Sequence, residues 1–391
     1  MIPVKEALAL IAQWTPRLKI IETDLMDGID MVLAKDVYSP LNMPPFRQSA
    51  MDGYAIKWSN KENYKIIGES KAGDNRQFQL NEGEAVRIFT GAMVPKNADT
   101  VVIQEHVEEA SERIRIKKMP AKGANIREEG EQILKGVKVL EKGSQVNEAS
   151  IGLLAGLGLK QIKIFKPPEI GLMVTGNELQ QLDEPLAPGK IYESNSLMLK
   201  VALKRNNFPK VKFYQAKDNA KETARLIKEA LANNDVLLIS GGISVGKYDF
   251  VQQALLSNGV KEIFYKVNQK PGKPLWFGTK GEKRIFALPG NPASSLICFY
   301  LYVLPELMRQ KGWTPGLNTG RGKLDKSLKN NTGKSLFLVA QVAGGAVHIL
   351  DEQNSANLLG FTRANALVHI PENMSRVKEN ETIEYLDLDY N

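Results

Sequence analysis

Apolar positions recur at helical spacing from Val4 to about Trp14, and then the period changes. Between residues 22 and 145 the chain breaks into short β-prone runs separated by Gly, Pro and Asn. Among them are Tyr64-Lys65-Ile66-Ile67, Glu84-Ala85-Val86-Arg87-Ile88 and Thr100-Val101-Val102-Ile103. This is the pattern of an all-β module. A second helical stretch covers 148–159, where Gly152, Ala155 and Gly156 permit close packing, and Pro167-Pro168 marks a boundary. From Glu169 strands and helices alternate. Strand-like runs lie at 170–174, 211–214, 236–239 and 285–288, and helices are predicted at 194–205, 219–232, 250–256 and after Pro292. That alternation predicts a mostly parallel sheet wrapped by helices. Beyond Trp313 short strands and polar turns predict a final small β domain, and no internal repeat stands out.

Composition narrows the class. With 391 residues, 43% of them hydrophobic and 25% charged, the chain suits several packed domains and argues against disorder or a disulfide scaffold. The single cysteine, Cys298, sits in the apolar run Leu296-Ile297-Cys298-Phe299 and reads as a buried, inert thiol. His106, His348 and His369 are too scattered for a zinc site of familiar spacing. The net charge of +8 suits anionic ligands. No basic stripe is interleaved with stacking aromatics, so nucleic acid is not expected as a partner. The charged pair Lys5-Glu6 stands where a signal peptide would be apolar, and no apolar run reaches the ~18 residues of a membrane span. A soluble, cytoplasmic protein without a membrane partner is the expectation.

The densest chemical signal runs from Asp235 to Asp249, where an apolar strand enters Ser240-Gly241-Gly242-Ile243-Ser244-Val245-Gly246. Glycines after a buried parallel strand let backbone N–H groups approach a phosphate or another oxyanion; a plain tight turn is the alternative. Gly241 to Lys247 fits G-x-x-x-x-G-K, but Tyr248 stands where a P-loop needs Ser or Thr. Gly242 to Gly246 fits G-x-S-x-G, which leaves a serine hydrolase using Ser244 open. Lys270-Pro271-Gly272-Lys273-Pro274 presents two cations from a stiff turn, suited to a tetrahedral oxyanion or equally to a solvated loop. In Leu288-Pro289-Gly290-Asn291-Pro292-Ala293-Ser294, Pro292 suits the first turn of a helix and Asn291 its cap. Three such loops would converge on one sheet edge, with the helix's positive end beside them.

In order and spacing these segments resemble the molybdopterin molybdenumtransferase family, the MoeA proteins and the E-domain of gephyrin. The resemblance also rests on Pro44-Pro45-Phe46, Met51-Asp52-Gly53-Tyr54-Ala55, Thr90-Gly91-Ala92, Thr175-Gly176-Asn177-Glu178-Leu179, Ser194-Asn195 and Tyr248-Asp249. It implies α/β plus β modules in an elongated, multidomain chain. A discontinuous helical domain of 1–25 and 147–166 would hold an inserted β-rich domain of 26–146. A MogA-like α/β molybdopterin-binding domain of 167–315 and a small C-terminal β-barrel-like domain of 316–391 would follow. The implied reaction inserts molybdenum from molybdate into adenylylated molybdopterin, with Mg²⁺, and releases AMP. A homodimer is implied, its site lying between the α/β domain of one subunit and the β-rich domain of the other. A molybdopterin adenylyltransferase and apo-molybdoenzymes are the implied partners. A non-catalytic dimeric scaffold is the reading from another class.

The resemblance also assigns residues. Gly241, Gly242 and Ser244 would line a pterin-phosphate pocket, with Asn195, Pro289, Pro292 and Ser294 around it and Ser355 near by. Lys270 and Lys273 would hold molybdate or the developing charge. Asp235 and Asp249 would engage Mg²⁺ and the phosphoanhydride, assisted by Glu178. Asp52 and Thr90 would reach in from the partner subunit. Three departures from the family pattern stand out: Asn177 replaces an Asp, Gln132 replaces a carboxylate, and Leu359-Gly360 replace a Ser pair. Nothing in the residue types separates molybdate from tungstate.

Overall fold

A computed structural model describes residues 1–217, 219–243, 250–313 and 318–388. The chain divides into two compact units, one formed by Met1–Thr23, Asp30–Ala34 and the chain from Lys163 on, the other by Asp24–Ile29 and Lys35–Ile162.

The first unit is built on a six-stranded sheet. In chain order its elements begin with α1 (Val4–Gln13), β1 (Ile170–Thr175), α2 (Asn195–Arg205), β2 (Val211–Ala216), α3 (Ala220–Asn233) and β3 (Val236–Ser240). They continue with α4 (Phe250–Ser257), β4 (Lys261–Tyr265), β5 (Gln269–Lys270), β6 (Trp276–Lys280), β7 (Lys283–Leu288) and α5 (Pro292–Cys298). The strand order is β2-β1-β3-β7-β6-β4; the first four strands are parallel, and β6 and β4 add antiparallel. The inner parallel strands are buried, mostly apolar runs such as Ile170–Thr175 because helices cover both faces, whereas the edge strand β2 is largely exposed. Val4, Ala7 and Ile11 of α1 join Leu199, Leu203 and the long helix from Pro292 on one face. Ile227 and Leu231 of α3 and Val251 and Leu255 of α4 pack on the other. That long helix widens into a π-helical turn at Phe299–Val303 and then runs on as α6 (Leu304–Gln310).

A small barrel follows, of β8 (Thr319–Leu324), β9 (Ser335–Ala343), β10 (Ala346–Ile349), β11 (Ala366–Ile370) and β12 (Thr382–Asp387). Its order β9-β10-β8-β12-β11 closes by pairing of β11 with β9, and β5 adds to β9 in parallel. The parallel sheet and the terminal β domain match the sequence expectation. The antiparallel edge, β4 and β6, was not legible in the hydrophobic pattern. Its segments Lys-Glu-Ile-Phe-Tyr and Trp-Phe-Gly-Thr-Lys are short and bounded by turns that mimic a loop.

The second unit holds a six-stranded β-sheet with an apolar cluster on each face, as the alternation between residues 22 and 145 predicted. Its helix, Glu148–Gly156, starts at Asn147, whose side chain accepts from the Ser150 amide.

Candidate functional site

The parallel strands stop in register. Val174, Ser240 and Leu288 lie side by side, so Thr175, Gly241 and Pro289 form the rim just beyond. The order β2-β1-β3 also puts the topological switch between β1 and β3, because α2 and α3 leave toward opposite faces. A crevice opens at such a switch. Here it is a cavity of about 580 Å³, lined in part by Thr175, Glu178, Asn195, Ser240, Gly241 and Gly242. Both glycines are required. Gly241 and Gly242 have φ of 91° and 69°. A Cβ on Gly241 would stand 2.7 Å from the Thr175 carbonyl oxygen, and one on Gly242 would stand 2.5 Å from Val251.

Around this turn the polar groups are fixed by neighbours. Asn195, at the start of α2, donates through Nδ2 to Ser240 Oγ at 2.9 Å and to the Gly290 carbonyl at 2.7 Å. Glu193, nearly buried, caps the same helix, accepting from the Ser196 amide at 2.9 Å and from the Ser196 hydroxyl. Across the cavity, Pro292 occupies the first turn of α5 and Asn291 its cap position, but the Asn291 side chain does not cap. It donates instead to Ser355 Oγ at 2.9 Å, while the Ser294 amide donates to the Ser355 carbonyl at 3.3 Å. The loop carrying Ser355 is thereby held against the helix start.

The lysine loop is anchored from below. Gln269 is fully buried, donates to the Pro271 carbonyl at 3.0 Å and accepts from the Tyr302 hydroxyl. Cys298 packs under Gly272, and burial pushes its thiol well above the usual range, so it remains a packed, neutral group. Above this floor Lys270 and Lys273 are exposed, and among the described residues neither ammonium is ion-paired. Pro274, next along, lines the cavity.

In the second unit, pairing of Gly53 with Ile88 brings the two glycine-centred loops together. Gly53 cannot carry a side chain, because its Cβ would stand 1.9 Å from the Val102 carbonyl oxygen. Asp52 Oδ1 accepts from the Thr90 amide at 2.7 Å and from the Thr90 hydroxyl at 2.8 Å. The Thr90 amide above all holds this carboxyl below the usual carboxylate range. Arg87, unremarked in the sequence, lies over Tyr54 and Phe89 and donates to Gln104 Oε1 at 2.6 Å.

Known proteins can be set beside this geometry. Residues 2–158 match the MoeA N-terminal region (domain I and II), residues 171–309 a probable molybdopterin binding domain, and residues 321–388 the MoeA C-terminal region (domain IV). A molybdopterin molybdenumtransferase of Nostoc sp. is 33% identical over 390 residues, covering 93% of this chain and 88% of that protein. One from Haemophilus influenzae is 32% identical, covering 92% of each. The chain belongs to the molybdopterin molybdenumtransferase family. A crystal structure of a molybdopterin biosynthesis MoeA protein from Pyrococcus horikoshii superposes with a TM-score of 0.85 at 29% identity, covering 100% of this chain and 99% of that one.

Measured against the residues the MoeA resemblance implied, the cavity gathers Glu178, Asn195, Gly241, Gly242, Pro289, Pro292 and Ser294. Ser355 joins through its bonds to Asn291 and Ser294. Lys270 and Lys273 belong to the loop beside it, while Asp52 and Thr90 form a pair of their own in the second unit. Ser244 and Asp249 lie outside the described residues. Asp235 is not brought to the cavity. It precedes β3, six residues from Gly241 and so about 20 Å away along the strand, and its Oδ2 accepts from the Glu169 amide at 3.0 Å.

For Mg²⁺ the donor set is small. Among the described residues no group of three or more His, Cys, Asp or Glu is arranged to hold a metal. Glu178 reaches the cavity, whereas the Glu193 carboxylate caps α2. This fits a Mg²⁺ held chiefly by substrate phosphate oxygens with one or two carboxylates, and not an all-protein cage. The sequence reading missed Thr175, Ser240 and Glu193 as site residues. Thr175 and Ser240 had a signal, since each is the polar residue that ends an otherwise apolar parallel strand.

Proposed function

We propose that this protein inserts molybdenum from molybdate into adenylylated molybdopterin and releases AMP. The supporting observation is the cavity at the switch point, assembled from the segments that carry the family motifs. The Gly241 amide donates to the Leu288 carbonyl at 3.3 Å; the Gly242 amide would be offered to a phosphate, and the substrate would lie between this turn and the start of α5. Lys270 and Lys273, exposed and stiffly presented, would hold the molybdate dianion and the charge that develops as its oxygen leaves. Mg²⁺ would supply charge neutralisation at the phosphoanhydride, held by Glu178 and Asp249 together with substrate oxygens. Ser244 would complete the phosphate pocket. A second copy of the chain would bring its Asp52–Thr90 pair to this site, in a homodimer. The four-part division of the chain, a cytoplasmic location, and exchange with an adenylyltransferase and apo-molybdoenzymes belong to the same reading. No helix among the described residues is long and apolar enough to cross a membrane.

The test is AMP release from adenylylated molybdopterin with Mg²⁺, with and without molybdate. Release that depends on molybdate, and that falls at least about 100-fold in the Lys270→Ala/Lys273→Ala double variant, supports insertion. Equal release without molybdate would mean hydrolysis. Full activity in the double variant would remove the lysines from the mechanism. Both lysines are exposed, so the variant's stability is expected within about 0.5 kcal/mol of the parent.

A further inference from the structure

Two polar atoms at the cavity are buried and have no hydrogen-bond partner among the described residues: Thr175 Oγ1 and Asn195 Oδ1. Thr175 is 5% exposed and ends β1 at the switch point, directly under the glycine turn. Its hydroxyl oxygen is 2.7 Å from where a Cβ on Gly242 would stand, and its carbonyl oxygen lies equally close to that of Gly241. An orphaned buried hydroxyl is destabilising unless something else engages it. The orientation of Asn195 is also fixed. The Gly290 carbonyl can only accept, so the nitrogen of the amide must face it, and both amide hydrogens are taken by Gly290 and Ser240. Oδ1 is therefore left as an acceptor. Ser240 Oγ accepts from Asn195, which leaves its own proton free to donate.

We infer that Thr175 is a specificity-determining residue of this site. Its hydroxyl donates to an anionic oxygen of a ligand phosphate seated on the Gly241–Gly242 turn, while Asn195 Oδ1 accepts from an N–H or O–H of the same ligand. The pair thus selects a phosphate ester that carries a hydrogen-bond donor near its phosphate, over a bare oxyanion. This rests on the cavity being the phosphate site of the proposed transferase, and it adds a residue to that site.

The experiment is titration of the full chain by calorimetry with AMP, a phosphate ester with hydroxyls near its phosphate, and with inorganic pyrophosphate, comparing the parent, Thr175→Val, Thr175→Ala and Thr175→Ser, with a thermal melt of each. Thr175→Val and Thr175→Ala are expected to bind AMP about tenfold more weakly, and Thr175→Ser within twofold of the parent. The melting temperature of Thr175→Val should equal or exceed the parent's, because the variant removes an unsatisfied hydroxyl. Alanine guards against the added methyl crowding Gly242. Unchanged affinity in both the Val and Ala variants overturns the assignment. So does a loss of binding that tracks a fall in melting temperature in both, as does a parent that does not bind AMP or that binds pyrophosphate at least as tightly. Failure of molybdate-dependent AMP release would instead refute the transferase reading and leave this comparison readable.

Discussion

The two ends of the parallel sheet treat polar groups in opposite ways. At the carboxyl end, among the described residues, Thr175 and Asn195 keep buried atoms without partners, Gly241 and Gly242 have positive φ, and neither Lys270 nor Lys273 is ion-paired. At the amino end charges are buried but engaged. Glu306, fully buried on α6, accepts from Thr15 Oγ1 at 2.8 Å, Arg309 Nε at 3.0 Å and Gln310 Nε2 at 2.9 Å. Arg284 donates to the carbonyls of Gly281 at 2.9 Å, Lys283 at 2.8 Å and Trp14. Both ends belong to the same strands and carry similar residue types. A hydrogen-bonded network, in which Arg309 Nη2 is left without a partner among the described residues, fixes α1 and α6 against the sheet, whereas the unpartnered groups at the carboxyl end face a cavity and keep hydrogen-bonding capacity for a ligand. Charge and burial alone therefore do not mark the site; unfilled bonding capacity gathered around a cavity does.

Glu306→Ala tests the amino end with the largest expected effect. It strips the carboxylate from Arg309 and leaves the donors of Thr15 and Gln310 unmatched, so a loss of about 3–5 kcal/mol is expected by denaturant titration. Molybdate-dependent AMP release per folded molecule should stay unchanged. A loss below about 1 kcal/mol, or a fall in turnover of the folded fraction, would break the distinction between the two ends. The pH dependence sharpens it. Burial raises the Glu306 pKa above the usual carboxylate value despite its donors. The folded state therefore keeps a proton that the unfolded state has already lost. The stabilisation from this group is complete below the unfolded pKa and declines as pH rises through the folded one. Glu306→Gln cannot titrate, so its stability relative to the parent should improve as pH rises across that window. A constant difference would show that the carboxylate is ionised in both states.

Legibility from sequence followed the same divide. The parallel core was readable because strands buried on both faces are apolar runs, as in Val236–Ser240, and helices such as Ala220–Asn233 repeat their apolar positions. The glycine turn was readable because few residues other than glycine adopt its φ. What escaped was whatever depends on partners distant in the chain. Asn291 looked like a helix cap, but Ser355, 64 residues away, claims its side chain. Thr175 appeared only as part of a motif, since its missing partner is a fact of three dimensions. The family resemblance assigns Asp235 as a site carboxylate, on the same short segment as Gly241. A strand separates its two ends by its full length, which proximity in sequence hides.

Asp235 gives the smallest expected effect and the finest discrimination. Its Oδ2 accepts from the Glu169 amide, its backbone bonds to Glu169 and Arg284, and Lys19 and Glu282 share its small surface hollow. Asp235→Asn keeps an acceptor for the Glu169 amide and removes only the charge, so the expected stability loss is about 1 kcal/mol or less. Molybdate-dependent AMP release and its Mg²⁺ requirement should stay within twofold of the parent. If Asp235 were a Mg²⁺ ligand paired with Asp249, the same change would instead raise the Mg²⁺ concentration needed for half-maximal activity by tenfold or more. Such a rise would mean that the amino end of the sheet takes part in the chemistry and that the contrast between the two ends is false. An unchanged requirement would leave Glu178 and Asp249 as the carboxylates to test next, both carried on segments that follow the carboxyl ends of their strands.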